Sequence, residues 1–534
     1  MMRSCWNFIR VLTLLGAVSV APVAIWWLFR VEHFARYWGA LLLPFVGIGL
    51  LALWYLLLGW GEAEVRWRRF WKFGVAVLVI GVTLKFLTKY DGSTGGTSLP
   101  RFVWRWEAGE AQSIAEELPP VDPDAKPKPL VDASVEGVVD SPQFYGPNRD
   151  AMWPEASLVA SFDWSEKPEE LWRVPVGLGW SGFAVVGRRA ITQEQRGPEE
   201  WVTCYDLISG DLLWTHRDTA HYYESAEAGG REMAGDGPRS VPTIHGEHVF
   251  TYGATGILNC LRLETGEAVW QRNVLQELGK GLPQWGKSTS PLVIPDLKLV
   301  VVSGGENSAP TLVSYETETG VPAWKSDGDG ASYSSPRLIN LCGMRQIVSV
   351  NARNVSGHDL SSGKELWSFP WPGSNPKVGQ PIDLPGDRLL VTASYGAGSF
   401  LLQVKHEGTA WSVEPVWETN RLKTKFSSAT VLDGHAFALD EGRLACVNLE
   451  DGSRVWKDGK YGFGQHLQVG NRLLIQAEEG YVAVVSATPE KFEEVARLDA
   501  LNSMTWNPPT LAGRYLLVRN DREAICFRLP AKKS

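Results

Sequence analysis

From about residue 170 onward, short apolar runs alternate with polar positions, and each pair of runs is closed by a polar turn ending in glycine. Four residues after that glycine comes tryptophan, at Gly210–Trp214, Gly266–Trp270, Gly320–Trp324, Gly363–Trp367 and Gly452–Trp456. The surrounding phrases are near-copies: YDLISGDLLW, LRLETGEAVW, YETETGVPAW, HDLSSGKELW and VNLEDGSRVW. Alternation of this kind predicts half-buried strands. The glycine predicts a tight turn needing positive φ, and the tryptophan predicts an aromatic packed between neighbouring sheets. Self-similarity at a period of about 40–50 residues marks a propeller or a solenoid.

Two further tryptophans fit the same place. Trp417 stands in EPVWETN, where the turn is degenerate, and Trp172 stands in ELWRVPV upstream of the first full copy. Ala496 in EEVARLDA occupies a position that has lost its tryptophan. Together these give eight outer-strand positions. Eight strand starts follow them: GWSGFAVV, PRSVPTI, STSPLVI, YSSPRLI, VGQPIDL, FSSATVL, FGQHLQV and TWNPPTL. The last unit has three strands and no outer one, while LWRVPV is an outer strand with no inner three before it. The prediction is an all-β, eight-bladed propeller of four-stranded antiparallel blades over 142–534. Its ring would be closed by Leu171–Val176, which removes an exposed sheet edge. The repeat tryptophans Trp172, Trp214, Trp270, Trp324, Trp367, Trp417 and Trp456 are read as structural.

Ahead of the repeats the pattern changes to three continuous apolar stretches, Phe8–Phe29, Trp38–Trp60 and Phe70–Thr88. Each approaches the ~20 residues that cross a bilayer, and tryptophans gather at their ends as interfacial aromatics do. Residues 1–90 are therefore expected to hold three transmembrane helices. Arg3 and Arg10 precede the first, and Arg66, Arg68, Arg69 and Lys72 are placed between the second and third. An excess of Lys and Arg marks cytoplasmic loops. The expected topology is an inner-membrane protein with its N-terminus in the cytoplasm and its propeller in the periplasm. Residues 91–141, with GSTGGTS and ELPPVDPDAKPKP, read as an extended linker. WRWEAGEAQSIAEEL inside it is a candidate short helix.

A net charge of −8 offers no basic field for nucleic acid. Cys204, Cys260, Cys446 and Cys526 all fall in Cys-x-x-Leu on the third strand of a repeat, a place that suits small buried side chains better than disulfides. No Cys-x-x-Cys, Gly-x-Ser-x-Gly or His-Glu-x-x-His occurs. His216, His221, His245 and His248 lack the spacing of a metal site. The candidate binding surface lies where the inner strands begin, around the channel mouth: Trp180, Gln193, Glu194, Arg239, Trp285, Lys287, Tyr333, Gln380, Gln465, Trp506 and Asn507. The long early connections, Asp218–Arg239 and Gln271–Lys287, would thicken one side of it.

The five Gly-x-x-x-Trp units, the Ser-Pro-like strand starts and the leader QFYGPNRDAMWP at Gln143–Pro154 resemble the quinoprotein-type (PQQ-like) eight-bladed propellers, including the BamB type of outer-membrane assembly protein. The resemblance spans roughly Phe144 to Pro530. It implies either a non-catalytic scaffold for an envelope protein or extracytoplasmic ligand, or a PQQ-dependent oxidoreductase. The dehydrogenases of this family use an adjacent Cys-Cys disulfide and Glu, Asn and Asp ligands to calcium. This chain has no Cys-Cys pair, so the expectation is no cofactor, with PQQ and calcium only under the enzyme alternative. A carbohydrate or cell-envelope polymer binder is a third reading.

Overall fold

The computed structural model describes residues 47–49, 51–56, 62–94, 99–107, 118–122, 126–130, 135, 137–153, 162–222, 235–306, 310–328, 330–371, 373 and 376–531. The chain divides into two compact units, one comprising Met1–Glu110 with Glu232–Ala234, the other comprising the rest.

In the first unit, helix Ala63–Leu87 (α1) is long and apolar enough to cross a membrane. Its 25 residues span about 37 Å. Three transmembrane helices were the expectation; among the described residues α1 is the one that qualifies. Phe8–Phe29 lies outside the described residues. Of Trp38–Trp60, residues 47–49 and 51–56 are helical. The third stretch starts earlier than Phe70, so Arg66, Arg68, Arg69 and Lys72 sit on the first turns of α1 and not in a loop. Arg and Lys are good helix formers, and Arg68 pairs with Glu64 one turn back at 2.7 Å. Thr88 ends the helix with its hydroxyl on the Leu84 carbonyl (2.7 Å).

The glycine-rich composition after Tyr90 predicts an extended linker, yet Thr88–Thr94 and Leu99–Trp104 pair as an antiparallel hairpin. The Trp104 and Trp106 rings stack at 5.2 Å beyond it, where a helix was the candidate; residues 108–117 lie outside the described set. The later part of the same stretch belongs to the second unit. Leu130, Val135 and Val138 pack against the cores of the first and last blades, and Lys128 N–H donates to the Leu213 carbonyl (2.9 Å).

The second unit is a ring of eight four-stranded antiparallel blades. Blade one is Ala184–Val186, Arg189–Arg196, Glu199–Asp206 and Leu212–Asp218. Blades two to seven repeat this order, with innermost strands beginning at Thr243, Leu292, Arg337, Ile382, Thr430 and Gln465. Blade eight is Thr510–Ala512, Tyr515–Arg519 and Glu523–Arg528, completed by Glu169–Pro175 from the front of the ring. Cys526 lies opposite Trp172 in that closing pair.

One local rule governs all eight outer strands. At Trp214, Trp270, Trp324, Trp367, Trp417, Trp456, Ala496 and Trp172 the pairing slips just past that residue. A bulge there turns the side chain out of the plane of its own sheet. The partner across the strand is often small: Cys204, Cys260, Ser314, Gly357, Cys446 or Cys526. This explains why four buried, unpaired cysteines share a repeat position. The indole then lies on the turn glycine of the next blade. A Cβ on Gly210 would come within 2.7 Å of Trp172, and one on Gly320 within 2.6 Å of Trp270. These turn glycines have φ near +70°, so their backbone and the space above them both demand glycine. The indole N–H finishes the joint by donating to a main-chain carbonyl of that neighbour: Trp172 to Leu207 (2.8 Å), Trp214 to Leu263 (3.0 Å), Trp270 to Thr317 (2.9 Å) and Trp417 to Leu449 (3.0 Å).

Candidate functional site

The loop that leads into each innermost strand is the structural equivalent of the predicted channel mouth. Two of its predicted residues meet directly: the Trp180 and Trp506 rings lie 4.9 Å apart. Phe426 extends the row at 4.9 Å from Trp506, and Phe463 follows at 6.0 Å. Lys425 sets its ammonium 4.0 Å from the Phe463 ring, and burial lowers its pKa. Beneath this row Gln465 donates to the carbonyls of Phe426 (2.8 Å) and Trp506 (3.1 Å). Asn507 donates to those of Gly179 (3.1 Å) and Ser181 (2.7 Å). The Trp506 indole donates to Glu478 (2.9 Å).

A second group is spread over the starts of blades one to five. Trp285 meets Tyr333 edge-on at 5.6 Å, and burial pushes the Tyr333 phenol upward. Lys287 is buried, donates to the Gly304 carbonyl (2.5 Å), and burial lowers its pKa to about 8. Arg239 lies over the Tyr222 ring at 4.8 Å and donates to the Gly235 and Gly237 carbonyls. Gln193 donates to Ser240 (2.7 Å to its carbonyl), and Gln380 to the Ser335 carbonyl (3.2 Å). Burial would raise the Glu194 carboxyl, but Arg196 and Arg519 beside it hold it below the usual value. Glu194 accepts from Tyr205 Oη (3.1 Å), from Arg196 and from the Gly177 N–H.

Two pairs of the predicted residues meet, Trp180 with Trp506 and Trp285 with Tyr333; Gln193 and Glu194 lie on the second strand of blade one; and Gln193, Gln380, Gln465 and Asn507 donate to main-chain carbonyls of an adjoining blade. Buried polar groups must be paired, and here the pairing serves the ring.

Sequence reasoning missed three contributors. Arg519 is fully buried and crosses the closure from blade eight to blade one, donating to Thr192 Oγ1 (2.7 Å), the Gln193 carbonyl (2.9 Å) and the Gly177 carbonyl (3.0 Å). Nothing in RYLLVRN separates it from an ordinary strand-end charge. Lys377 stands before Ile382 at the same offset as Lys287 before Leu292, and donates to the Ala352 carbonyl (2.6 Å); burial lowers it to about 8. The third is the leader. Ser141 bridges Val185 of blade one, and the Pro142 carbonyl accepts from Ile244 of blade two. Arg149 donates to the Ser290 (3.0 Å) and Pro291 (2.8 Å) carbonyls at the start of blade three, and Arg337 of blade four donates to the Asn148 carbonyl (3.3 Å). Tyr145 donates to Gln465 (2.7 Å), and Met152–Trp153 adds a parallel strand inside blade seven. The segment 141–153 therefore touches the inner edge of five blades and adds a strand to one of them, blade seven. Its composition marked it as a family feature without showing where it goes.

Among the described residues no three of His, Cys, Asp and Glu converge as metal ligands, and the buried cysteines lie in separate blades.

Comparisons with known proteins agree with this geometry. The family profile described as outer membrane protein assembly factor BamB matches residues 198–458. The outer membrane protein assembly factor BamB of Burkholderia pseudomallei (strain K96243) is 20% identical over 297 residues, which is 54% of this chain and 72% of that protein. Among solved structures, the quinohemoprotein alcohol dehydrogenase of Comamonas testosteroni superposes with a TM-score of 0.54 at 12% identity, covering 74% of this chain and 81% of that one. BamB from Moraxella catarrhalis does so with a TM-score of 0.48 at 14% identity, covering 68% and 98%. The chain is thus BamB-like: an eight-bladed propeller with PQQ-type repeats, similar in sequence to an assembly factor and in fold to quinoprotein dehydrogenases.

Proposed function

We propose that this chain is a membrane-anchored scaffold whose propeller faces the periplasm and binds an envelope protein, without chemistry of its own. The observation that carries the reading is the use of the mouth: Gln193, Gln380, Gln465, Asn507 and Lys377 tie blade to blade, and the segment 141–153 lines the inner edge of five blades. Similarity to BamB of Burkholderia pseudomallei supports a protein partner. α1 supplies a membrane anchor by length and composition, and an inward N-terminus follows from its basic first turns.

The runner-up is a PQQ-dependent membrane oxidoreductase, which the shared fold with quinohemoprotein alcohol dehydrogenase keeps in view. Titrating the purified protein with PQQ and calcium separates the two. The scaffold reading expects no saturable binding and no alcohol-dependent dye reduction; one-to-one binding with turnover overturns it. Crosslinked membranes should yield a stoichiometric envelope protein. Alkaline phosphatase fused after Gly109 should be active, and fused after Arg68 inactive.

A further inference from the structure

Six of the eight seams between blades are filled by an indole from the repeat position. The seam between blades four and five is filled by Trp371, whose Nε1 donates to the Ala397 carbonyl (3.1 Å) and whose ring meets Phe400. The seam between blades seven and eight is different. Its repeat position is Ala496, opposite Val484, and the next blade has no turn glycine because its outer strand arrives from residue 169.

A cleft of about 400 Å³ lies there, within the usual range for ligand pockets of roughly 300–1,000 Å³. Its floor is Val484, Ala496, Leu516 and Leu529, with Trp164 on one wall. These residues define the vacated indole slot. Val484 faces Ala496 as Cys526 faces Trp172, and Leu529 stands in the repeat where Leu207 receives the Trp172 indole. The lips carry Glu166 and Arg497, the latter paired with Glu494, and two further opposite charges, Lys167 and Asp499. Both of these are exposed, and neither has an ion-pair partner among the described residues.

We propose that this cleft receives one aromatic side chain, of indole size, from an extended segment of a partner polypeptide that carries an acidic residue on one side of the aromatic and a basic residue on the other. The ring would take the place that a tryptophan of the same chain takes at six other seams, and the flanking charges would meet Lys167 and Asp499. The proposal deepens the scaffold reading and rests on it; the PQQ titration tests that reading without involving this cleft.

The test uses the full chain in lipid nanodiscs and four probes: N-acetyl-tryptophanamide, and the capped tripeptides Asp-Trp-Lys, Lys-Trp-Asp and Asp-Ala-Lys. One of the two tryptophan peptides should bind one-to-one, at least tenfold more tightly than the free amide, and the alanine peptide should not bind. Ala496→Trp rebuilds the missing indole and should weaken that binding at least tenfold with the melting temperature unchanged or higher. Should Ala496→Trp not fold, Ala496→Leu fills part of the slot, and Lys167→Ala with Asp499→Ala should erase the peptide's advantage over the free amide. Absence of saturable peptide binding, binding unaffected by filling the slot, or equal affinity for the free amide would overturn the proposal; the last would make the cleft a site for small aromatic molecules.

Discussion

The seam between blades one and two and the seam between blades four and five start from the same written motif and use it in opposite ways. At the first, Trp214 leaves its own sheet, lies on Gly266 of the next blade and donates to the Leu263 carbonyl. At the second, Trp367 stays at home: its indole donates to Gln346 of its own blade (2.5 Å) and lies against Gly357. The difference comes from the receiving blade. Blade five replaces the short glycine turn with ten-residue strands, Gly398–Glu407 and Ala410–Thr419, so no glycine shelf awaits the indole. Phe369, Trp371 and Phe400 fill the gap instead. A repeat residue is thus defined as much by the next unit as by its own.

The harshest way to break the comparison is Trp214→Ala. It should cost ~3–5 kcal/mol, as deleting a large buried aromatic does, and denaturant titration should show it. The shelf can be attacked alone with Gly266→Ala. The new Cβ would meet the Trp214 ring at a φ of +71°, and a loss of about 1–3 kcal/mol is expected; Gly408→Ala in blade five, with open space around it, should cost less.

The same seam has a pH signature. Glu200 of blade one accepts the Ala254 N–H of blade two (3.1 Å). Burial, and then Asp218, raise it to about 8, against the pull of Arg239 and the main-chain donors. The folded state therefore keeps a proton that the unfolded chain releases near 4.5, so this group's contribution to stability falls as pH rises from about 4.5 to 8. Glu200→Gln should gain on wild type in melting temperature across that window, and a flat difference would refute the assignment. The smallest effect concerns the indole N–H. Trp214→Phe loses a hydrogen bond and should cost about 0.5–1.5 kcal/mol beyond packing. Trp324, whose Nε1 has no hydrogen-bond partner among the described residues, should tolerate phenylalanine with less loss.

The sequence by itself determined the ring. Glycine turns, alternating strands and eight tryptophan-position residues count blades because each is a local requirement: positive φ, a half-buried face, a large side chain at a seam. The closing strand was legible for the same reason, since an outer strand without inner partners and a unit without an outer strand complete each other. What only the tertiary structure decided was the use of what lies between. Arg519, Lys377 and the leader residues Tyr145 and Arg149 look like ordinary polar residues in sequence, and they become ties because carbonyls from distant blades end beside them. Trp180 and Trp506 are 326 positions apart in the chain and meet only when the ring closes. The short basic stretch at Arg66–Lys72 became helix because membrane-span hydropathy locates apolar length, not the helix that carries it. The empty slot at Ala496 required both facts, the missing tryptophan from the sequence and the missing shelf from the closure.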